Sequence, residues 1–446
     1  MPLPPVDLLI EARWIIPVIP AGCVLENHAV AIDQGRIVAV LPQAEAPLRY
    51  TPRHTSRLTE HALIPGLVNL HAHAAMSLLK GIADDRPLME WLQHHIWPLE
   101  TRHVSPEFVR DGTRLACGEM LRGGTTCFAD MYFFPQAAAE AAKDLGMRAA
   151  LGLVTLDFPT NYASDPDDYL DKGLAVRDAF HNDELITFCL APHAPYTVSD
   201  TTFAQIATLA EQCDLPIHTH LHETRQEIID SQQKFGCRPL ERLHRLGILG
   251  PNLIAAHGVH LETHEMALLA AHGCSVAHCP SSNLKLASGF APIAALLAHG
   301  VNVGLGTDGS ASNNRLDMFA EMRLAALLAK GVAGDATVVS AQQALHMATL
   351  GGAHALGMEN EIGSIEIGKW ADLCAIALND AQLSPCYDVI SLLVYSAGRE
   401  YVSDVWVAGK PRFADGHLPG STEIELKNLA ALWQNQIRPH NVLPTY

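Results

Sequence analysis

The sequence predicts an α/β chain: a (β/α)8 TIM barrel with a small β-sandwich built from the N- and C-terminal segments. Three observations carry this. Between about Ala62 and Asp308, eight short apolar, β-rich runs alternate with longer stretches of helical spacing. The runs are almost continuously hydrophobic, as strands of a parallel sheet covered on both faces are. Eight such units favour a closed barrel over an open sheet.

Residues 6 to 41 contain DLLIEARWIIPV and HAVAIDQGRIVAVL, alternating strands joined by a turn signal at Asp33-Gln34-Gly35. The eight runs follow: ALIPGLVNLHAH (62–73), TTCFADM (125–131), RAALGLVTLD (148–157), ITFCLAPHAPY (186–196), PIHTHLHE (216–223), NLIAAHGVHL (252–261), CSVAHCP (274–280) and VNVGLGTDG (301–309). Among the intervening helices, one over 105–121 opens on Ser-Pro-Glu, a cap followed by proline, and stops before Gly123-Gly124. Another over 317–330 has acids early and a lysine last, as the helix dipole favours. From residue 371, ADLCAIAL and YVSDVWVAGKPRFADG read again as short strands. Neither end has enough strands to bury its own face. The segments 1–61 and 371–446 are therefore expected to form one composite β-sandwich, with the barrel, 62–370, inserted between them.

Composition narrows the function. The 446 residues are 48% apolar, enough for real cores, and carry a formal charge of −18 with no lysine/arginine cluster. Nucleic acid is thus a poor partner and a small or neutral substrate a better one. No signal peptide and no uncharged apolar run of membrane-spanning length is present, so a soluble, cytoplasmic protein is expected, free of membrane and assembled as a homo-oligomer. Ten cysteines without a C-x-x-C pair read as buried thiols in a reducing compartment. With 24 histidines, a single one says little, and only a spaced constellation counts.

In a parallel barrel the working groups sit at the carboxyl ends of the strands. Here the first run ends in His71-Ala72-His73, the fourth in His193, the fifth in PIHTHLHET, the sixth in His257 and the eighth in Thr307-Asp308. At i and i+2 on one strand, His71 and His73 point the same way and could chelate one ion. Alone, such a pair is as readily two satisfied polar residues; a third imidazole and a carboxylate at neighbouring strand ends give it weight.

PGLVNLHAH, HTHLHE, AAHGVHL, HCPSSNLKLASG and GLGTDGSASNN, in this order over most of the chain, resemble the amidohydrolase superfamily. Within it the motifs look like the adenosine-type deaminases, in particular those of 5-methylthioadenosine and S-adenosylhomocysteine. The resemblance implies His71, His73, His220 and Asp308 as metal ligands, with His220 placed by its offset from a catalytic Glu223. It implies one divalent ion, because ITFCLAPHAP lacks the lysine of two-metal relatives, with zinc favoured by ligand type and iron or manganese as the alternatives. Glu223 would protonate the purine ring, and Asp308 and His257 would take the proton of the attacking water. The alternatives are a rim pair of Glu223 with Arg225, a turn cap for Asp308 and a structural His257. The lid-like segment SLLKGIADDRPLMEWLQHHIWPLE ends in Glu100, which matches the family's ribose-binding acid, and His193 matches a second substrate contact. Arg148 and Ser312 are further substrate candidates, though Arg148 opens its strand at the end away from the rim and Ser312 could be a helix cap. Trp91 and Trp97 would line the pocket or pack the lid. His218 reads as a buried neighbour of the ligands, while His222 is unassigned. If Glu223 reaches substrate, the strand must break just after His220.

The expected activity is metal-dependent deamination at C6 of an adenosine-type nucleoside. A deaminase or chlorohydrolase of a bare purine, pterin or triazine is the competing enzyme, and a non-catalytic scaffold the competing class.

Overall fold

The structure, a computed structural model, describes residues 3–420 and 422–438. The remainder of the predicted composite segment, residues 1, 2, 421 and 439–446, lies outside the described residues. Four strands come first: β1 (Pro5–Ile15), β2 (Leu25–Asp33), β3 (Arg36–Pro42) and β4 (Thr51–Pro65). The eight apolar runs then form β5 (Leu67–Ala72), β6 (Thr125–Asp130), β7 (Arg148–Thr155), β8 (Ile186–Pro192), β9 (Ile217–Leu221), β10 (Leu253–His257), β11 (Ser275–His278) and β12 (Asn302–Leu305). The chain closes with β13 (Leu373–Ala377), β14 (Val402–Val407) and β15 (Lys410–Phe413).

β5 to β12 lie in sequence order in one parallel sheet, the arrangement of a (β/α)8 barrel. The seam between the last and first strands is drawn together at the rim. Asp308 N–H donates to His71 O at 2.9 Å, Thr307 N–H to Asn69 Oδ1 at 2.9 Å, and Asn69 Nδ2 to Thr307 Oγ1 at 2.8 Å. That side-chain clasp brings two of the predicted metal ligands onto neighbouring backbones. The helices behave as expected from their caps. Pro106–Arg122 starts on Ser105, whose hydroxyl accepts from Phe108 N–H at 3.2 Å, and Met318–Ala333 starts on Asp317.

The termini do assemble together, as one seven-stranded mixed sheet in the order β15-β14-β13-β4-β1-β2-β3. Period-two alternation gives it two apolar faces. Leu63, Leu373 and Ala375 pack with Ile10, Val30 and Trp406, whereas Ile64, Cys374 and Ile376 join the barrel's core. β4 runs on to Pro65, past the expected boundary at residue 61. The helix Thr422–Ile437, read as part of the terminal unit, lies instead on the barrel helix Pro106–Arg122. There Trp433 Nε1 donates to Asp111 Oδ2 at 2.9 Å and its ring meets Phe108 edge-on. All ten cysteines are free, and among the described residues no helix is long and apolar enough to cross a membrane.

Arg148 corrects an expectation. It is 2% exposed at the start of β7, remote from the rim, and belongs neither to the surface nor to the cavity. Its Nε and Nη2 meet Asp372 Oδ2 and Oδ1 at 2.8 and 3.2 Å, and Nη1 donates to Glu184 O at 2.6 Å. Asp372 in turn accepts from Ala408 N–H at 2.7 Å, so the pair joins the barrel floor to the terminal sheet. Removing one partner of a buried pair strands the other charge. Arg148→Met is expected to destabilise the protein by about 3–5 kcal/mol in equilibrium denaturation, and adding Asp372→Leu to recover most of that. An undiminished stability of the single variant would contradict the assignment.

Candidate active site

Four strand ends supply the site. His71 is the penultimate residue of β5 and His73 follows its end; His220 lies in β9, His257 ends β10, and Asp308 follows β12. Gly306 permits this convergence, because a Cβ there would stand 2.8 Å from both the Cβ and the N of His71.

The hydrogen bonds set which ring nitrogens carry protons. His73 Nδ1 is 2.6 Å from Met131 O and His220 Nδ1 is 2.6 Å from His193 O. A carbonyl only accepts, so both rings are Nδ1–H tautomers whose Nε2 carries a lone pair. Those two Nε2 atoms face each other at 3.3 Å. Asp308 Oδ1 is 3.3 Å from His73 Nε2 and 3.6 Å from His71 Nε2. The Nε2 atoms of His71 and His257 are buried without a hydrogen-bond partner among the described residues. Burial, and after it the crowd of neighbouring imidazoles, holds His71 and His220 well below the usual histidine range, so both stay neutral. Two overlapping groups, His71 with His220 and His257, and His71 with His73 and Asp308, bring their ligand atoms close enough to hold one ion, and imidazole and carboxylate donors of this kind suit zinc. His218 Nε2 lies 2.9 Å from His71 Nδ1 and fixes that ring from behind, in keeping with its expected place.

The strand bearing His220 leaves its course one residue later than anticipated. β9 continues through Leu221, and His222 takes the left-handed conformation with φ 55°. The turn swings Glu223 into the cavity. Glu227, not foreseen as a site residue, pins it: its two carboxylate oxygens accept from the N–H groups of His222 at 3.0 Å and Glu223 at 2.9 Å. Thr224-Arg-Gln-Glu227 is a capping-box pattern legible in the sequence, and Thr224 does accept from Glu227 N–H at 3.2 Å. What the pattern does not reveal is that the acid reaches past the cap to the two preceding amides. His222 itself faces away from the cavity: its Nε2 accepts from Leu240 N–H at 3.1 Å, and its Nδ1 lies 3.2 Å from His260 O.

Glu223 Oε2 is 3.9 Å from His257 Nε2, and burial raises the Glu223 carboxyl. It makes no close pair with Arg225, which is exposed. Burial works against charge on His257, but Glu223, Asp308 and Asn283 outweigh it and lift its pKa. Asn283 Oδ1, 2.9 Å from His257 Nδ1, leaves Nε2 as the free acceptor. Ser282 Oγ donates to Asp308 Oδ2 at 2.6 Å. Both residues sit in the HCPSSNLKLASG motif, which marks neither of them separately.

Above the ligands opens a cavity of about 440 Å³. Glu100, His193, Trp91, Trp97 and Ser312 all line it, together with the ligands, Glu223 and His257. The lid is a broken helix: Leu88–Trp91, a π turn over Leu92–Ile96, then Trp97–His103, which carries Glu100 in mid-helix. Tyr132 hydroxyl donates to Glu100 Oε1 at 2.7 Å. Burial raises the Glu100 carboxyl to about 7, against the pull of Tyr132 and His73. Trp91 is buried and also donates its indole N–H to Ile82 O at 3.4 Å, so it serves the lid as well as the cavity. Ser312 Oγ donates to Gly309 O at 3.1 Å.

The protein-family model described as the amidohydrolase family matches residues 62–412. The chain is 47% identical over 434 residues to a 5-methylthioadenosine/S-adenosylhomocysteine deaminase of Saccharophagus degradans, covering 97% of both chains. It is 43% identical over 434 residues to the deaminase of that name in Thermodesulfovibrio yellowstonii, covering 96% of this chain and 98% of the relative. Among solved structures, an adenosine deaminase from Xanthomonas campestris with bound zinc superposes with a TM-score of 0.97 at 51% identity, over 98% of this chain and all of that one. Atrazine chlorohydrolase of Arthrobacter aurescens, complexed with zinc, matches with a TM-score of 0.88 at 26% identity, over 97% of this chain and 100% of its own. Five motifs in order, a histidine and aspartate cluster at the barrel rim and these full-length matches lead to one conclusion: the chain belongs to the amidohydrolase family.

Proposed function

We propose that this protein is a hydrolytic deaminase acting at C6 of the adenine ring in nucleosides such as 5-methylthioadenosine and S-adenosylhomocysteine, giving the inosine analogue and ammonia. The observation that carries it is the joining, in one cavity, of the ligand cluster and Glu223 with a second carboxylate, Glu100, on the lid. Deaminases of a bare ring and the chlorohydrolase share the need for the first; a sugar is what gives the second its use.

His71, His73, His220 and Asp308 would hold one divalent ion per subunit, zinc by donor type, which would supply a water of lowered pKa. The chain's own groups do the rest. Glu223, whose carboxyl burial raises, donates to ring nitrogen N1 and makes C6 electrophilic. His257 Nε2, free because Nδ1 is engaged by Asn283, accepts the proton of the attacking water together with Asp308. The hydroxyl adds to C6, the amino group takes up that proton, the C6–N bond breaks, and ammonia leaves as Glu223 recovers its proton. Glu100 accepts from the two ribose hydroxyls, a task for which a carboxylate with two oxygens is suited. His193 lines the same cavity, its Nδ1 3.0 Å from Thr197 Oγ1, which leaves Nε2 for substrate.

Glu223→Gln is expected to keep the fold and the metal content while lowering kcat by roughly 10²–10⁴-fold, the usual worth of a positioned proton donor; full activity would refute its role. Glu100→Ala should lower kcat/KM for adenosine and 5-methylthioadenosine by about tenfold or more, the cost of a lost charged hydrogen bond, and leave any turnover of free adenine unchanged. An equal loss on both would refute ribose binding. Removing metal with a chelator should abolish ammonia release, and zinc should restore it.

A further inference from the structure

The name shared by the relatives covers two substrates that differ only at the 5′ position: one ends in a methylthio group, the other in a homocysteine tail bearing a carboxylate and an ammonium. We infer that this chain discriminates between them in favour of the uncharged methylthio group. The inference rests on the deaminase reading above and concerns the same cavity.

The sugar is the reference point. Glu100 is tied to Tyr132, and Tyr132 follows the end of β6, with Phe133 next to it at 5.3 Å between ring centroids. The wall built from the ends of β6 and β7 and from the lid shares the cavity with this pair, and it is the surface we assign to the 5′ carbon of a ribose held at Glu100. That wall is hydrocarbon: Phe133, Val154, Leu156 and Phe158 from the barrel, Leu88 and Leu92 from the lid. Two polar residues at its edge are already engaged. Asn161 Nδ2 donates to the carbonyls of Thr101 and Val104, both at 3.0 Å, and Thr160 Oγ1 accepts from Tyr169 hydroxyl at 2.6 Å.

Among the described residues lining the cavity, none is a lysine or arginine. The one arginine among the substrate candidates, Arg148, is committed to Asp372 on the barrel floor. The acidic side chains of the cavity are Glu100, Glu223 and Asp308. A tail carboxylate would thus meet hydrocarbon where a partner is needed, and it would lose hydration without compensation. A methylthio group in the same place buries apolar surface and leaves no polar atom unpaired. Specificity of this kind comes from what the site lacks for the disfavoured substrate.

The test is the ratio of kcat/KM for 5-methylthioadenosine to that for S-adenosylhomocysteine, with adenosine alongside, in the metal-loaded protein and in Phe158→Arg. Phe158 is 41% exposed at the cavity's edge, so an arginine there can be solvated and still reach a tail carboxylate. The wild-type ratio is expected to be about tenfold or more, and Phe158→Arg to narrow it by raising kcat/KM for S-adenosylhomocysteine. Equal kcat/KM for the two in the wild type would overturn the inference while the deaminase reading stands. Absence of ammonia from all three nucleosides would instead overturn that reading.

Discussion

The structure depends on one electrostatic constraint: the imidazoles of His71, His73 and His220 and the carboxylate of Asp308 are brought together at one point of the rim. His73 and His220 cannot relax by changing tautomer, because their Nδ1–H groups are held by the carbonyls of Met131 and His193. His71 cannot turn, because His218 stands behind it. Such an arrangement costs free energy in a bare protein and is stabilised once a cation sits among the ligands. The barrel supplies the stiffness this demands, since each ligand stands at the end of a strand whose neighbours hold its register.

Three strands leave the barrel beside this centre through non-glycine residues in the left-handed region: β9 through His222, β10 through His257, and the segment after β12 through Asp308, with φ of 55°, 74° and 61°. Left-handed backbone at residues with a Cβ costs of order 1–3 kcal/mol each. Here it is offset locally, by Glu227 on the two amides after β9, by Asn283 on His257, and by Ser282 and Gly309 N–H on Asp308. The bends have a purpose. A regular strand would send Glu223 to the side opposite His220, and the left-handed turn brings both into one cavity.

Much of this was legible in the sequence. Eight hydrophobic runs gave the barrel, because buried parallel strands need no partner pattern beyond continuous apolarity, and the motifs placed each candidate ligand at or near a strand end. The composite terminal unit was also legible, since neither end could cover its own strands. Long-range partners were not. Nothing local in GMRAA says that Arg148 meets Asp372 more than 200 positions away, nor does TRQE say that Glu227 reaches the backbone of His222. The helix Thr422–Ile437 was assigned with the strands it follows, whereas Trp433 and its neighbours find their apolar partner on a barrel helix. The cavity's preference at the 5′ position likewise emerges only when side chains from β6, β7 and the lid are seen to share one wall.

The central claim is that one metal ion is bound by imidazole and carboxylate at this rim. X-ray absorption at the K-edge of the metal in the purified protein tests it most directly. The account predicts close to one ion per chain with nitrogen and oxygen neighbours at about 2.0–2.2 Å and the scattering pattern of several imidazoles. Sulfur at about 2.3 Å, or a protein that holds no stoichiometric metal, would contradict it.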